Sequence, residues 1–351
     1  MKTKLKPTEK QLADERNRAL ALWAVMRTVL VHQVATWMIG QIGRDLDLLR
    51  RDLAAKLAHS DLGPGASRAY VAEVLADIDG RIAEVFAEMR DRLVGDLDEL
   101  SEVEDERDRR ALLLLFGEEP KKKLPLAKAA VLLVMGATIA KWMSVQAGDL
   151  SFRVVQAVRG GVAAGDDALD IAATVKGRAA KGARTATPPI TDQTLRSLEP
   201  VVRTAVQASS QDTLDHVASA LPKRVDMGWQ QISVLDRRTT DTCRAYAFKL
   251  WTRDFKPVGH ALPYAGGVPR HWNCRSRIVP VDLAGEASDK LTFKGWMVSL
   301  GEKVQDEIFG ARNTGLWRSG KLDDQNLLHI QKRELSIDQL RRIPDRGLPT
   351  D

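Results

Sequence analysis

The sequence predicts a mostly α protein with a small α+β domain set into its second half. Three observations carry this reading. Apolar residues recur at a helical period through the first stretch. Helix-like runs separated by glycine and proline breaks follow to about residue 225. Between Asp226 and Val281 the composition changes, with both cysteines, three tryptophans, several prolines and short β-like runs. The chain has 351 residues, 44% of them hydrophobic and 28% charged, enough for about two domains and a buried core. That excludes wholesale disorder, and a content of only 2 cysteines excludes a disulfide-stapled miniprotein. The N-terminal segment MKTKLKPTEKQLADERNR is charged throughout, so it does not read as a secretory signal.

Residues 1–120 read as a long-helix hairpin, an interaction region. Pro7 and Thr8 ahead of Gln11 resemble a capping box, and a helix runs from there to about His59. Gly40 and Gly43 are weak points in it, each costing about 1 kcal/mol against alanine. Asp61-Leu-Gly-Pro-Gly65 breaks the chain, and a second helix extends from about Ser67 to Leu115. Its apolar positions are Leu75, Ile78, Ile82, Val85, Met89, Leu93, Leu97 and Leu100, a mean step of about 3.6. Such a helix is roughly 65–70 Å long. The mixed charges of Asp98–Arg110 read as a solvated helical face.

Residues 121–225 read as a helical bundle leading into the next domain. Lys121, Lys122 and Lys123 lie in a linker and are candidate phosphate contacts, with an exposed linker as the plainer reading. The apolar run Ala129–Ala140, between Lys128 and Lys141, predicts a buried helix over about Leu126–Gln146. It is shorter than the ~18 residues a membrane span needs. Phe152–Val158 and Ala168–Val175 flank a glycine turn, Gly160–Gly165, which lacks the Lys-Ser/Thr of a phosphate loop. A last helix covers about Asp192–Leu221.

Residues 226–285 form the motif domain, with β-like runs at Ile232–Leu235 and Arg277–Val281. Residues 286–351 return to helix and end in a polar tail. In the motif domain, Cys243, His260, His271 and Cys274 are the one tight grouping of soft metal ligands, with His271 and Cys274 in a His-x-x-Cys spacing. Zinc takes four nitrogen or sulfur ligands, usually with one close pair. Cys243, His271 and Cys274 are three candidates, with His260, Asp236 or Asp241 as the fourth. A Cys243–Cys274 disulfide and simple packing of two thiols fit the same residues. A Cys243–His271 nucleophile pair has no recognisable orienting partner or oxyanion site in the sequence.

Trp229, then Asp236-Arg-Arg-Thr-Thr-Asp-Thr-Cys243, then Pro269-Arg-His-Trp-Asn-Cys-Arg275 resembles the motif of the Mu F-like head-morphogenesis (minor head, or minor capsid) proteins of tailed phages. The positions that match in order are Asp236, Arg238, Thr239, Cys243, Pro269, His271, Asn273, Cys274 and Arg275. Arg203-Thr204 is similar to the pair on the helix that precedes this domain, and Gln305 to Lys321 to a C-terminal helical element of longer members. The resemblance covers about residues 150–325. Two features depart from it: Ser276 stands where members often carry another cysteine, and Arg244-Ala-Tyr follows Cys243 where many carry Asp-Gly.

The resemblance implies a virion component without enzymatic activity. It would be present in several copies, associate with the portal protein or capsid subunits at the portal vertex or head interior, and be made in the host cytoplasm. Its part would lie in head assembly and in DNA packaging or ejection. A net charge of +6, from 53 basic and 47 acidic residues, suits non-specific contact with packaged DNA. The motif residues also have an explanation without chemistry. Arg238 and Arg275 can fork onto Asp236 or Asp241, and the soft ligands, with or without zinc, can pin two loops that lack a core. The competing class is a metal-dependent hydrolase or toxin-like transferase built on Cys243, His271 and Cys274. The chain shows no His-Glu-x-x-His, nucleophile elbow or P-loop for it.

Overall fold

A computed structural model describes residues 8–118, 120, 126, 128–177, 188–233, 238–285, 293–299, 301–323, 327 and 334–343. The fold is mostly α. Helices α1 (Glu9–Ala58) and α2 (Arg68–Phe116) match the predicted hairpin closely. All eight apolar positions of the predicted stripe, Leu75 to Leu100, are buried. Gly40 and Gly43 do not interrupt α1. Pro7 lies outside the described residues, but the cap forms: the Thr8 amide donates to Gln11 Oε1 and the Gln11 amide to Thr8 Oγ1. By length and composition α1 could cross a bilayer, yet 78% of its most apolar window is buried inside the protein.

The chain divides into two compact units, and each draws on segments far apart in sequence. One comprises Met38–Asp96 and Ala129–Val202. Here α1 and α2 run antiparallel, as the pairs Arg81–Asp52 (2.8 Å), Lys56–Asp77 (2.5 Å) and Arg92–Asp45 require. The apolar run after residue 128 departs from the prediction. It forms a 3-10 turn at Ala129–Val131 and a hairpin of β1 (Leu133–Val134) with β2 (Ala137–Thr138). The hairpin turn Met135-Gly136 has φ of 50° and 86°, the left-handed pair that two-residue hairpins favour. Helix α3 (Ile139–Ala164) starts only there, with Thr138 Oγ1 capping the Lys141 amide. It runs straight through Gly160 and Gly161, so the predicted turn shrinks to Gly165, its left-handed C-cap (φ 83°). Gly161 is required for packing: a Cβ there would sit 2.6 Å from Ile171 Cγ1 of α4 (Ala168–Lys176). Helix α5 (Ile190–Ser219) begins in this unit, where Arg153 of α3 donates to Ile190 O and Thr194 Oγ1 (both 2.6 Å).

The other unit comprises Met1–Trp37, Leu97–Lys128 and Arg203–Asp351. It holds a four-stranded antiparallel sheet in the order β5-β4-β3-β6: β3 (Met227–Ile232), β4 (Leu250–Thr252), β5 (Pro257–Val258) and β6 (Arg277–Asp282). β6 lies where expected. β3 starts earlier than predicted and takes Trp229 into the sheet opposite Trp251 and Pro280. β3 and β6 are buried almost throughout. The sheet leans on α1 and α5. Asn17 of α1 exchanges two hydrogen bonds with the Asp282 backbone (2.8 and 2.9 Å). Gln211 of α5 does the same with Ile278 (2.8 and 3.1 Å). Short helices α6 (Asp241–Tyr246), α7 (Phe293–Ser299), α8 (Glu302–Phe309), α9 (Ala311–Arg318) and α10 (Ile337–Arg342) complete it. α8 and α10 dock through Gln33 Nε2 to Ile308 O (3.1 Å) and Arg107 to Ile343 O (2.6 Å).

The charged run Asp98–Arg110 is only in part the solvated face its composition predicts: Glu102, Glu106 and Arg110 are exposed. Glu104, Asp105, Arg107 and Asp108 are buried. Glu104 pairs with Arg27 of α1, accepts from Ser210 of α5, and faces Arg277 of β6 at 3.8 Å. The mixed charges mark the junction where four elements exchange polar contacts. The buried pairs hold these residues in the interior, which periodicity alone does not reveal.

Asp215 sits at the edge of the same junction, and burial pushes its carboxyl up to about 7 against the opposing hydrogen bond from Gln211. Between its ordinary value of 3.8 and about 7, the folded state therefore binds a proton that the unfolded chain has released. Asp215 thus adds stability that is fully present at low pH and lost as pH rises through that interval. Asp215→Asn removes this dependence, so its thermal midpoint should exceed that of the wild type at pH 8, with the gap closing towards pH 5. Superimposable pH profiles for the two proteins would refute the assignment.

Candidate functional site

The soft ligands converge because two local structures aim them at each other. Thr240 caps α6 by accepting from the Cys243 amide (3.3 Å), which sets Cys243 on the inner side of the first turn. Across from it, His271–Cys274 form a tight turn closed by Cys274 N to His271 O (3.2 Å). Asn273 takes the left-handed position (φ 58°), which asparagine tolerates better than most side chains. Its amide donates to Thr204 Oγ1 of α5 (3.0 Å), fixing the turn to the helix. Pro269 enters the turn through a cis peptide, and Arg270 spans from Gln231 Oε1 to the Tyr246 ring, 4.4 Å from its centroid.

The result is a compact triangle. Cys243 Sγ lies 3.2 Å from His271 Nε2 and 3.7 Å from Cys274 Sγ, and the three ligand atoms all fall within 4.8 Å of one another. Both thiols are free, and their separation is far beyond the ~2.05 Å of a disulfide. The Trp272 carbonyl, 2.9 Å from His271 Nδ1, can only accept, so Nδ1 carries a proton, and Nε2 faces Cys243 Sγ and Thr240 Oγ1. The Cys274 thiol donates towards Cys243 and holds it down, to about 4, against burial; Ser276, His271 and Thr240 act in the same sense. The same bond, reinforced by burial, holds Cys274 up. The pair therefore carries one readily lost proton and one retained proton.

A cavity of about 20 Å³ adjoins the triangle, lined among others by Arg238, Thr239, Asn273 and Arg275. That is room for a single water. Cys243 and Cys274 are 2% and 3% exposed.

The other predicted site residues divide. Trp229 packs in the sheet against Phe255, with ring centroids 6.0 Å apart. His260 does not join the triangle. Its Nδ1 accepts from the Leu262 amide, its Nε2 donates to Leu250 O (2.8 Å), and its ring meets Trp251 edge-on. It fastens β4 to the following loop, which corrects its reading as a fourth ligand. Asp241 is fully exposed beside Arg244 (4.0 Å) rather than paired with Arg238 or Arg275. Asp236 and Lys121, Lys122 and Lys123 lie outside the described residues.

Sequence reasoning missed the polar brackets around the triangle. Gln231 and Ser233, two apart on one face of the strand and its end, both donate to Cys243 O (3.4 and 3.3 Å). Ser276 meets Ser233 (2.9 Å), and Gln207 donates to Ser276 O (2.8 Å). The two-residue spacing of Gln231 and Ser233 was a readable signal, as was Thr240 before the acidic first turn of α6. No family model, curated protein or solved structure matches the chain.

Proposed function

We propose that this chain is a structural component of a tailed-phage head, a Mu F-like minor head protein that docks on portal or capsid subunits and meets packaged DNA through phosphate contacts. The observation that carries the reading is how the motif residues are used. Cys243, His271 and Cys274 lie against one another, and the Asn273 backbone amide donates to the Thr204 hydroxyl of α5, so the motif works as a clasp between two loops. A clasp of this kind explains why the resemblance concentrates in two short segments rather than along the whole domain. Its sulfurs are buried beside a cavity the size of one water, which suits a holding role better than turnover of a substrate.

The test is co-expression of the full chain with portal and capsid subunits of the same phage, followed by sedimentation of the assembled particles. The chain should travel with the particles and be missing from those assembled without the portal. A chain that stays at the top of the gradient in both cases rejects the reading. DNA binding, measured in parallel, should be independent of sequence and weaken steeply between low and moderate salt. An affinity flat in salt would reject phosphate contact.

A further inference from the structure

The triangle of Cys243, His271 and Cys274 has the features of a metal centre, and this holds whether or not the chain belongs to a phage head. We propose that these three residues bind one zinc ion through two thiolates and the imidazole Nε2, with a water in the fourth position.

The donor chemistry comes first. Two sulfurs and one imidazole nitrogen form a soft set that favours a tetrahedral ion such as zinc over magnesium or calcium. Spacing comes second. Bonds of ~2.3 Å to sulfur and ~2.05 Å to nitrogen put tetrahedral edges at ~3.8 Å between sulfurs and ~3.6 Å between sulfur and nitrogen. Two observed edges are 3.7 Å for Cys243–Cys274 and 3.2 Å for Cys243–His271, and the third, His271–Cys274, lies within 4.8 Å.

Orientation comes third. The Trp272 carbonyl holds the Nδ1 proton of His271 and so presents Nε2 as the ligand atom, the support that metal-bound histidines usually have. Both sulfurs are buried, and the polar brackets from Gln231 and Ser233 hold the backbone of Cys243 in place. Thr240 Oγ1 is 3.0 Å from Nε2 but already caps α6, so it serves as a neighbour. The fourth position then opens on the cavity of about 20 Å³, which admits one solvent molecule. Binding requires both sulfurs as thiolates, so it strengthens as pH rises.

The experiment uses the full chain, purified under reducing conditions without chelator from zinc-supplemented cells. Metal analysis should find close to one zinc per chain. After stripping, cobalt(II) should restore a spectrum with sulfur-to-cobalt charge transfer and visible d–d bands of tetrahedral strength. His271→Ala should weaken metal binding by about 100-fold or more, since loss of mere supporting partners already costs 10–100-fold. His271→Cys should keep the metal and gain charge-transfer intensity, which guards against reading a misfolded variant as a lost ligand. The proposal is overturned if reduced, folded protein takes up neither zinc nor cobalt. It is equally overturned if His271→Ala binds as tightly as the wild type, or if folded His271→Cys binds no cobalt.

Discussion

Glu104→Gln should lower the thermal midpoint by about 10 °C. The substitution keeps the shape and removes a charge that faces both Arg27 and Arg277. All three side chains are 0% exposed, so solvent cannot take over the role of the carboxylate. Removing one partner of a buried ion pair typically costs 3–5 kcal/mol, about 2–4 °C per kcal/mol for a unit of this size. Burial already works against the charge of Arg277, while Asp108 and Asp215 support it. Arg27→Met combined with Glu104→Leu should recover most of the loss, because the pair leaves together and Arg277 keeps those two acids. Calorimetry or thermal circular dichroism reads both variants. A midpoint for Glu104→Gln within about 2 °C of the wild type would mean that the junction is not held by charge.

The second large effect is expected at Trp251, which is completely buried in β4. Its ring stacks on Tyr246 (5.9 Å), meets His260 and Tyr264 edge-on (5.2 and 5.6 Å), and donates through Nε1 to Leu262 O (3.1 Å). Trp251→Ala should cost about 3–5 kcal/mol through the cavity it leaves. Trp251→Phe, which keeps a ring and loses the Nε1 bond, should cost about 1 kcal/mol from that bond. The effect should also reach the triangle. Tyr246 ends the helix that carries Cys243, so loss of the stacking partner frees α6 to move. Thiol-reagent modification of Cys243 in reduced, metal-free protein should therefore accelerate in Trp251→Ala and stay near the wild-type rate in Trp251→Phe. Equal rates in all three proteins would show that α6 is positioned without Trp251.

These two sites show what a one-dimensional pattern can and cannot carry. The long helices were legible because each needs only a local rule. The stripe from Leu75 to Leu100 keeps a helical step, and the Asp61–Gly65 break separates two runs that then pair. The candidate site was legible in part. Cys243, His271 and Cys274 could be picked out because soft ligands are rare enough to notice, and Asn273 only as a position of the motif. The hairpin at Leu133–Thr138 was hidden, since a short apolar run fits helix and strand alike and Met135-Gly136 tips the balance.

By itself the sequence determined a mostly α chain, its two long helices and the pair of segments that carry the soft ligands, because these follow from periodicity, breakers and residue chemistry close along the chain. Only the tertiary structure decided that His260 belongs to β4 rather than to the triangle, that Glu104, Asp105, Arg107 and Asp108 face inwards, and that Gln207, Gln211 and Thr204 of α5 brace the sheet and its turn. Each of those outcomes depends on a partner between 10 and more than 170 residues away. A polar side chain becomes a core residue when such a partner pairs with it, and nothing in its immediate sequence announces that partner.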